Sequence, residues 1–189
     1  MNFLVFFSWQ YGFPFSRSTL NDYFVATTWQ VFGPAKNIVS LLGAAFSHVE
    51  TYHLLANMMT FYFFGRDVFY TVGRRFAVPL YLIAGIASSY AQVYQGRRHG
   101  YNAQVIGASG AVSSFVIFSI LANPGAMVLL WFFIPVPAAL FGIAYIMQDM
   151  YGISHRQTYK GGFVGHEAHL AGSAIGGIAY LIAKRRRLI

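Results

Sequence analysis

Apolar residues occur along this chain in long runs separated by short polar or charged segments. After residue 45 there are five such runs, at about 46–65, 77–94, 107–122, 126–147 and 162–183. A helix needs roughly 20 apolar residues to cross the hydrocarbon core of a bilayer, and these runs approach or reach that length. We therefore expect five transmembrane helices here, the fifth of them kinked by Pro135 and Pro137.

The first 45 residues show a different pattern. Residues 1–15 are apolar, but as a helix they would be roughly 22 Å long against a core of about 30 Å, so we expect a first span that is thin or truncated at its N-terminus. Residues 16–44 mix Arg17 and Lys36 with Trp and Phe, which is typical of a re-entrant or interfacial loop. The predicted fold is all-α: a polytopic membrane protein with one domain, residues 1–189. It has a six-transmembrane-helix bundle and a long interfacial loop between helices 1 and 2.

Composition supports a membrane protein. Hydrophobic residues make up 57% of the chain and charged residues only 10%, whereas soluble domains are about one quarter charged. The net charge is +8, and the Lys and Arg residues that produce it lie between the apolar runs and in the basic tail 184–187. We interpret these residues as membrane anchors, and we expect the lipid bilayer, not nucleic acid, as partner. The absence of cysteine excludes disulfides, thiolate metal centres and a thiol nucleophile.

Polar residues in three of the predicted helices share one depth. The second, fourth and sixth predicted helices cross in the same direction, and each carries its polar residues in its first half. These residues are His53, Asn57, Ser109, His166 and His169. Ionisable and polar residues within spans are costly and point to function, so this shared depth predicts one common polar site.

The tetrapeptide Gly-Ala-Ser-Gly at 107–110 begins the fourth run. A serine between glycines at a helix start combines an exposed hydroxyl with unpaired backbone N–H groups, as a nucleophile beside an oxyanion site requires. The predicted helix is only about 24 Å long, so its start lies inside the bilayer and the preceding segment 100–106 must line a wet pocket. The alternative is that Gly107 and Gly110 only form a small-residue packing face.

The sixth run supplies a candidate base. Gly165 and Gly172 belong to a small-residue spacing that allows close approach to another helix. If that helix is the fourth, His169 can reach Ser109 as general base and then general acid. The alternatives are a buried histidine bonded to a carbonyl, or the base role falling to His166 one turn earlier.

The second run supplies candidate oxyanion donors. His53 and Asn57 are four residues apart and share a helix face, so both can donate to a developing oxyanion. The alternative role is interhelical hydrogen bonding. His48, earlier in the run, is expected at the membrane interface. A metal site of His53, His166 and His169 is a further alternative, disfavoured by the lack of cysteine and of a well-placed carboxylate.

No third member of the catalytic group is expected. Glu167 points away from His169 on the helix and is expected to cap or anchor its start. Asp149 is placed at the far end of another predicted span, which disfavours a carboxylate that orients His169. The residues therefore predict a Ser–His dyad.

These segments resemble the signatures of a known family, the rhomboid intramembrane serine proteases. The matching segments are His53-Leu54-Leu55-Ala56-Asn57, Gly107-Ala108-Ser109-Gly110 and Ala168-His169-Leu170-Ala171-Gly172. The resemblance implies a Ser109 nucleophile, a His169 base, and His53, Asn57 and the Ser109 N–H at the oxyanion. It also implies a hydrolase without a cofactor that cleaves transmembrane segments of membrane-protein substrates.

The flanking residues resemble one branch of that family. Phe46-Ser47-His48 and the segment 165–169 are similar to the mitochondrial inner-membrane, presenilin-associated rhomboid-like branch, which implies that membrane as location, with a bacterial plasma membrane as alternative. Many bacterial members carry an aromatic residue one turn after the serine, stacked on the histidine, where this chain has Ser113. The alternative function is a catalytically inactive rhomboid-like protein that binds transmembrane clients.

Overall fold

The chain is predominantly helical in the computed structural model, which describes residues 1–130, 133–155 and 165–189. The helices of the described part are α1 (Asn2–Tyr11), α2 (Arg17–Tyr23), α3 (Thr28–Phe32), α4 (Val39–Ala44), α5 (Thr51–Thr60), α6 (Arg66–Val72), α7 (Arg74–His99), α8 (Ser109–Ala122), α9 (Ala138–Ser154) and α10 (His166–Arg185). A π-helical turn, Phe61–Gly65, joins α5 to α6. The short strands are β1 (Ala26–Thr27), β2 (Gln104–Val105), β3 (Met127–Leu130) and β4 (Ile134–Pro137).

One helix of the described residues, α7, is long and apolar enough to cross a membrane by length and composition, and α8 is a shorter apolar helix. Helices occupy much of the predicted runs, and the six-span count stays a prediction. The helix α7 extends beyond the predicted 77–94 at both ends. Residues 162–164, at the predicted start of the last helix, lie outside the described residues.

The prediction of one kinked helix over 126–147 was wrong for the part before Ala138. Strands β3 and β4 form an antiparallel hairpin in which Val128 pairs with Val136, and α9 begins only after it. Pro135 and Pro137 both lie in β4, where a residue without an N–H and with φ near −65° is tolerated at a sheet edge but not in a helix interior. The helix α9 both begins and ends later than predicted. Because it extends to Ser154, Asp149 lies inside the helix and not at its end.

The helix α8 forms the centre of the bundle. Phe115 and Phe118 are fully buried among aromatic rings of α7, α10 and the π turn. A helix that is apolar all round is typical of such a central position. Its first residue, Ser109, is therefore placed by neighbours on several sides.

The segment before α8 is held by the first loop. β2 pairs with β1, with Ala26 opposite Val105, and the Gly107 N–H donates to the Ala44 carbonyl at 3.0 Å. The Ala103 N–H donates to the Thr28 hydroxyl at 3.0 Å. Non-helical backbone at membrane depth needs such partners within the protein. The loop 16–44 thus fixes the approach of the chain to Ser109.

Candidate active site

A glycine places His53 beside the start of α8. Gly107 has φ +131°, a conformation that side chains rarely adopt, and an added Cβ would lie 2.6 Å from Cε1 of His53. Glycine is thus required both by the backbone conformation and by the imidazole packed against it. The ring of His53 therefore packs against Gly107, which precedes Ser109 by two residues in the sequence.

His48 was expected at the interface, but the structure buries it completely. Its Nε2 accepts the Ala108 N–H at 3.3 Å, and its ring packs edge-on against that of His53, with centroids 4.9 Å apart. The preceding Ser47 accepts the indole N–H of Trp9 at 2.8 Å. His48 therefore supports the backbone one residue before the candidate nucleophile, and Ser47 ties the same segment to α1.

Asn57 is 7% exposed and lies one turn after His53 on α5. Its Nδ2 donates to the His53 carbonyl at 2.9 Å, which uses one of its two amide hydrogens. The second N–H is the one that an oxyanion could accept. The structure thus brings His53 and Asn57 to the same end of the bundle as Ser109.

The helices α8 and α10 touch through backbone at the candidate site. An added Cβ at Gly172 would fall on the Gly110 carbonyl oxygen, and one at Gly110 would lie 3.3 Å from the carbonyl oxygen of Ala168. This contact joins the residue after Ser109 to the residue before His169. Gly172 and Gly176 of the last helix thus face α8, as close backbone approach requires, whereas Gly165 packs against Gln92 of α7.

In the described part of the chain no hydrogen bond joins the Ser109 hydroxyl to His169. Hydrogen bonds between nucleophile and base are often long or poorly aligned before substrate binds. The ring of His53 packs against Gly107, and the Ala168 carbonyl, one residue before His169, lies against Gly110. The three groups therefore share one region without a fully assembled hydrogen-bond chain.

The expectation that no carboxylate lies near His169 was wrong. Asp149 Oδ1 accepts hydrogen bonds from Nδ1 of His169 at 3.1 Å and from Nδ1 of His166 at 2.7 Å. Successive antiparallel helices bring the last turns of α9 beside the first turns of α10, so Asp149 lies at the depth of both histidines. The available sequence signal was an acid within an apolar helix, which is itself a mark of function.

The carboxylate determines where His169 carries its proton. Asp149 is 3% exposed, and an ionised carboxylate only accepts hydrogen bonds. In the neutral imidazole, Nδ1 therefore holds the hydrogen and Nε2 keeps its lone pair. This tautomer suits His169 to accept a proton through Nε2.

The ring stacked on His169 comes from α9, not from the residue one turn after the serine. Tyr145 lies with its ring 6.3 Å from that of His169 at an interplanar angle of 18°. Ser113 donates its one hydroxyl hydrogen to the Ser109 carbonyl at 2.8 Å, so the Tyr145 hydroxyl donates to Ser113 Oγ at 2.6 Å. Sequence reasoning missed Tyr145, although its spacing of four from Asp149 puts both on one helix face.

The geometry defines a class of protein: a helical bundle with a serine at the start of one helix and a histidine, buttressed by a carboxylate and a tyrosine, on the helix beside it. Residues 35–187 match the family model described as the rhomboid domain. The chain belongs to the rhomboid family.

The most informative relatives are mitochondrial. The chain is 33% identical over 165 residues to RHOMBOID-like protein 12, mitochondrial, of Arabidopsis thaliana, covering 78% of this chain and 47% of that protein. It is 28% identical over 178 residues to the presenilin-associated rhomboid-like protein, mitochondrial, of Mus musculus, covering 93% and 44%. The chain spans less than half the length of these curated relatives. The resemblance to the mitochondrial branch of the family is confirmed.

Proposed function

We propose that this chain is an intramembrane serine endopeptidase that cleaves transmembrane segments of membrane proteins. Ser109 is the nucleophile, His169 the general base, and the Ser109 N–H with His53 and Asn57 stabilises the oxyanion. The observation that carries this proposal is the contact of Gly110 with Gly172 and Ala168. It sets the serine and histidine on touching helices.

The chemistry follows from the position of the protons. As Ser109 Oγ attacks the scissile carbonyl carbon, its proton passes to Nε2 of His169, and the carbonyl oxygen becomes an oxyanion. Collapse of this intermediate breaks the C–N bond, and His169 gives its proton to the leaving amine. Water then hydrolyses the acyl-enzyme by the same steps. A buried, ionised Asp149 stabilises the imidazolium that forms in each of them.

The remaining features concern the setting of the reaction. We propose that the chain is a single-domain, multi-pass protein of the mitochondrial inner membrane, with the bacterial plasma membrane as the alternative location. Its proposed partners are transmembrane substrates and the bilayer itself. The proposed chemistry needs no cofactor, since the nucleophile, base and oxyanion donors all come from the chain.

A serine-reactive fluorophosphonate tests this function directly. We expect the probe to label the detergent-solubilised wild-type protein, and to fail with Ser109→Ala and His169→Ala, because the hydroxyl is activated only with its base. Ser119→Ala is the matched control: it lies on the same helix and bonds the Phe64 carbonyl, far from the site. Thermal unfolding establishes that each variant is folded.

The opposite result has a defined meaning. A folded wild-type protein that neither reacts with the probe nor cleaves a model transmembrane substrate would contradict the protease proposal. It would favour the catalytically inactive, client-binding alternative.

A further inference from the structure

Three side chains with metal-binding atoms converge where α9 meets α10. One carboxylate oxygen, Oδ1 of Asp149, lies 2.7 Å from Nδ1 of His166 and 3.1 Å from Nδ1 of His169. The ligand atoms of the three residues all lie within 4.8 Å of one another. The second oxygen of Asp149 is buried and has no hydrogen-bond partner among the described residues. A buried carboxylate is thus only half satisfied by protein.

We propose that Asp149, His166 and His169 bind a divalent transition-metal ion such as Zn²⁺, and that the bound ion inhibits the enzyme by occupying His169. The binding site stands on the geometry alone. The inhibition rests on the function proposed above.

The donor set matches what zinc prefers. Two imidazoles and one carboxylate leave a fourth, tetrahedral position for water, as in zinc sites with three protein ligands. Zinc binds nitrogen and oxygen at about 2.0–2.2 Å, so neighbouring ligand atoms lie about 3.3 Å apart around it. The two nitrogen–oxygen spacings already approach this value, and small side-chain rotations bring the two nitrogens into range.

The site is both held and accessible. His166 packs against the backbone of α9 at Gly152, where an added Cβ would fall on its ring. The ligands thus come from two helices, Asp149 from one and the two histidines one turn apart on the other. The side chains of His166 and His169 are 22% and 16% exposed, so an ion has a path to them.

Coordination reverses the tautomer of His169. Without metal, the Nδ1 hydrogen is donated to Asp149 and the Nε2 lone pair is free to take a proton. A metal bound to Nδ1 displaces that hydrogen, and the neutral ring then carries its hydrogen on Nε2. His169 can no longer accept the proton of Ser109. The ion also takes the carboxylate that orients the ring.

Binding is tested with Co²⁺, whose visible absorption reports ligand number without any turnover. The purified, EDTA-treated chain is titrated as wild type, His166→Asn and His155→Asn. His155 is the control, because it is an exposed histidine at the end of α9 whose ring bonds Ser154. We expect the wild type and His155→Asn to bind alike, and His166→Asn to bind at least about tenfold more weakly. Equal affinity of wild type and His166→Asn would overturn the site.

Inhibition is tested with Zn²⁺ and a model transmembrane substrate, each variant being compared with its own metal-free rate. We expect Zn²⁺ to inhibit the wild type and His155→Asn reversibly, with recovery after EDTA, and His166→Asn to need at least about tenfold more Zn²⁺. Co²⁺ binding without any inhibition by Zn²⁺ would overturn the inhibitory role. A metal-free wild type without cleavage would instead contradict the proposed function, while the Co²⁺ titration still decides the site.

Discussion

Gly172 offers the sharpest test of how α8 and α10 position the proposed catalytic residues, Ser109 and His169. A methyl group at this position falls on the Gly110 carbonyl oxygen, which belongs to backbone and cannot rotate away. Overpacking of this kind costs about 1–3 kcal/mol, and alanine regains about 0.5–1 kcal/mol of helix propensity. We expect Gly172→Ala to lower the free energy of unfolding by the difference between these two contributions, at most about 2.5 kcal/mol.

Gly172→Ala should impair the rate of substrate cleavage more than it lowers the free energy of unfolding. His169 lies three residues before Gly172 on the same helix, so relieving the clash moves the imidazole relative to Ser109. A displacement of about 1 Å in a catalytic group costs about 100-fold in rate. We therefore expect a loss of about that size in kcat/KM on a model transmembrane substrate, measured at a temperature where the variant is folded.

Gly177→Ala provides the matched control for this prediction. It lies on the same helix, but an added Cβ there meets only Cδ1 of Leu121, at 3.9 Å, an ordinary contact. We expect unchanged activity, and stability that is equal or higher by up to about 1 kcal/mol. If Gly172→Ala behaves like Gly177→Ala in both assays, the close contact of α8 and α10 does not position His169, and the reasoning fails.

Two further predictions concern α9. Asp149→Asn removes the charge that holds the Nδ1 tautomer of His169, so kcat should fall by about 100-fold or more with KM nearly unchanged in steady-state kinetics, and a wild-type kcat would count against the assignment. Tyr145→Phe keeps the ring on His169 but loses the hydroxyl bonded to Ser113, so kcat should stay near wild type while stability drops by about 1 kcal/mol in thermal unfolding. Tyr145→Ala removes the stacking as well and should lower kcat by about twofold to tenfold; equal rates for the two Tyr145 variants would refute a role for the ring.

The start and end of α8 could be predicted from the sequence because both depend on the residues immediately next to them. Gly107, with its positive φ, allows the sharp entry before Ser109, and the segment Asn123-Pro124-Gly125 stops the helix at Ala122. His53 and His169 could be selected as candidate site residues for a similar reason, since a costly polar group in an apolar run is visible without knowledge of its neighbours.

The hairpin before α9 could not be predicted from local sequence in this way. Hydropathy treats 126–147 as one apolar run, and short apolar segments do not distinguish strand from helix. Pro135 and Pro137 are compatible with a kinked helix as well as with an extended segment. The choice is made by pairing of β3 with β4, which local patterns do not contain.

The orientation of His169 depends on residues outside the family motifs. Tyr145 and Asp149 are four residues apart on one face of α9; one contacts the plane of the imidazole, and the other accepts its Nδ1 hydrogen. The motifs on α5, α8 and α10 bring the proposed nucleophile, base and oxyanion donors together, but a histidine can rotate and change tautomer within them. A protein with all three motifs intact and a different α9 would therefore hold its histidine differently. It follows that activity in such chains is better judged from the face of α9 that meets the histidine than from the presence of the serine and histidine alone.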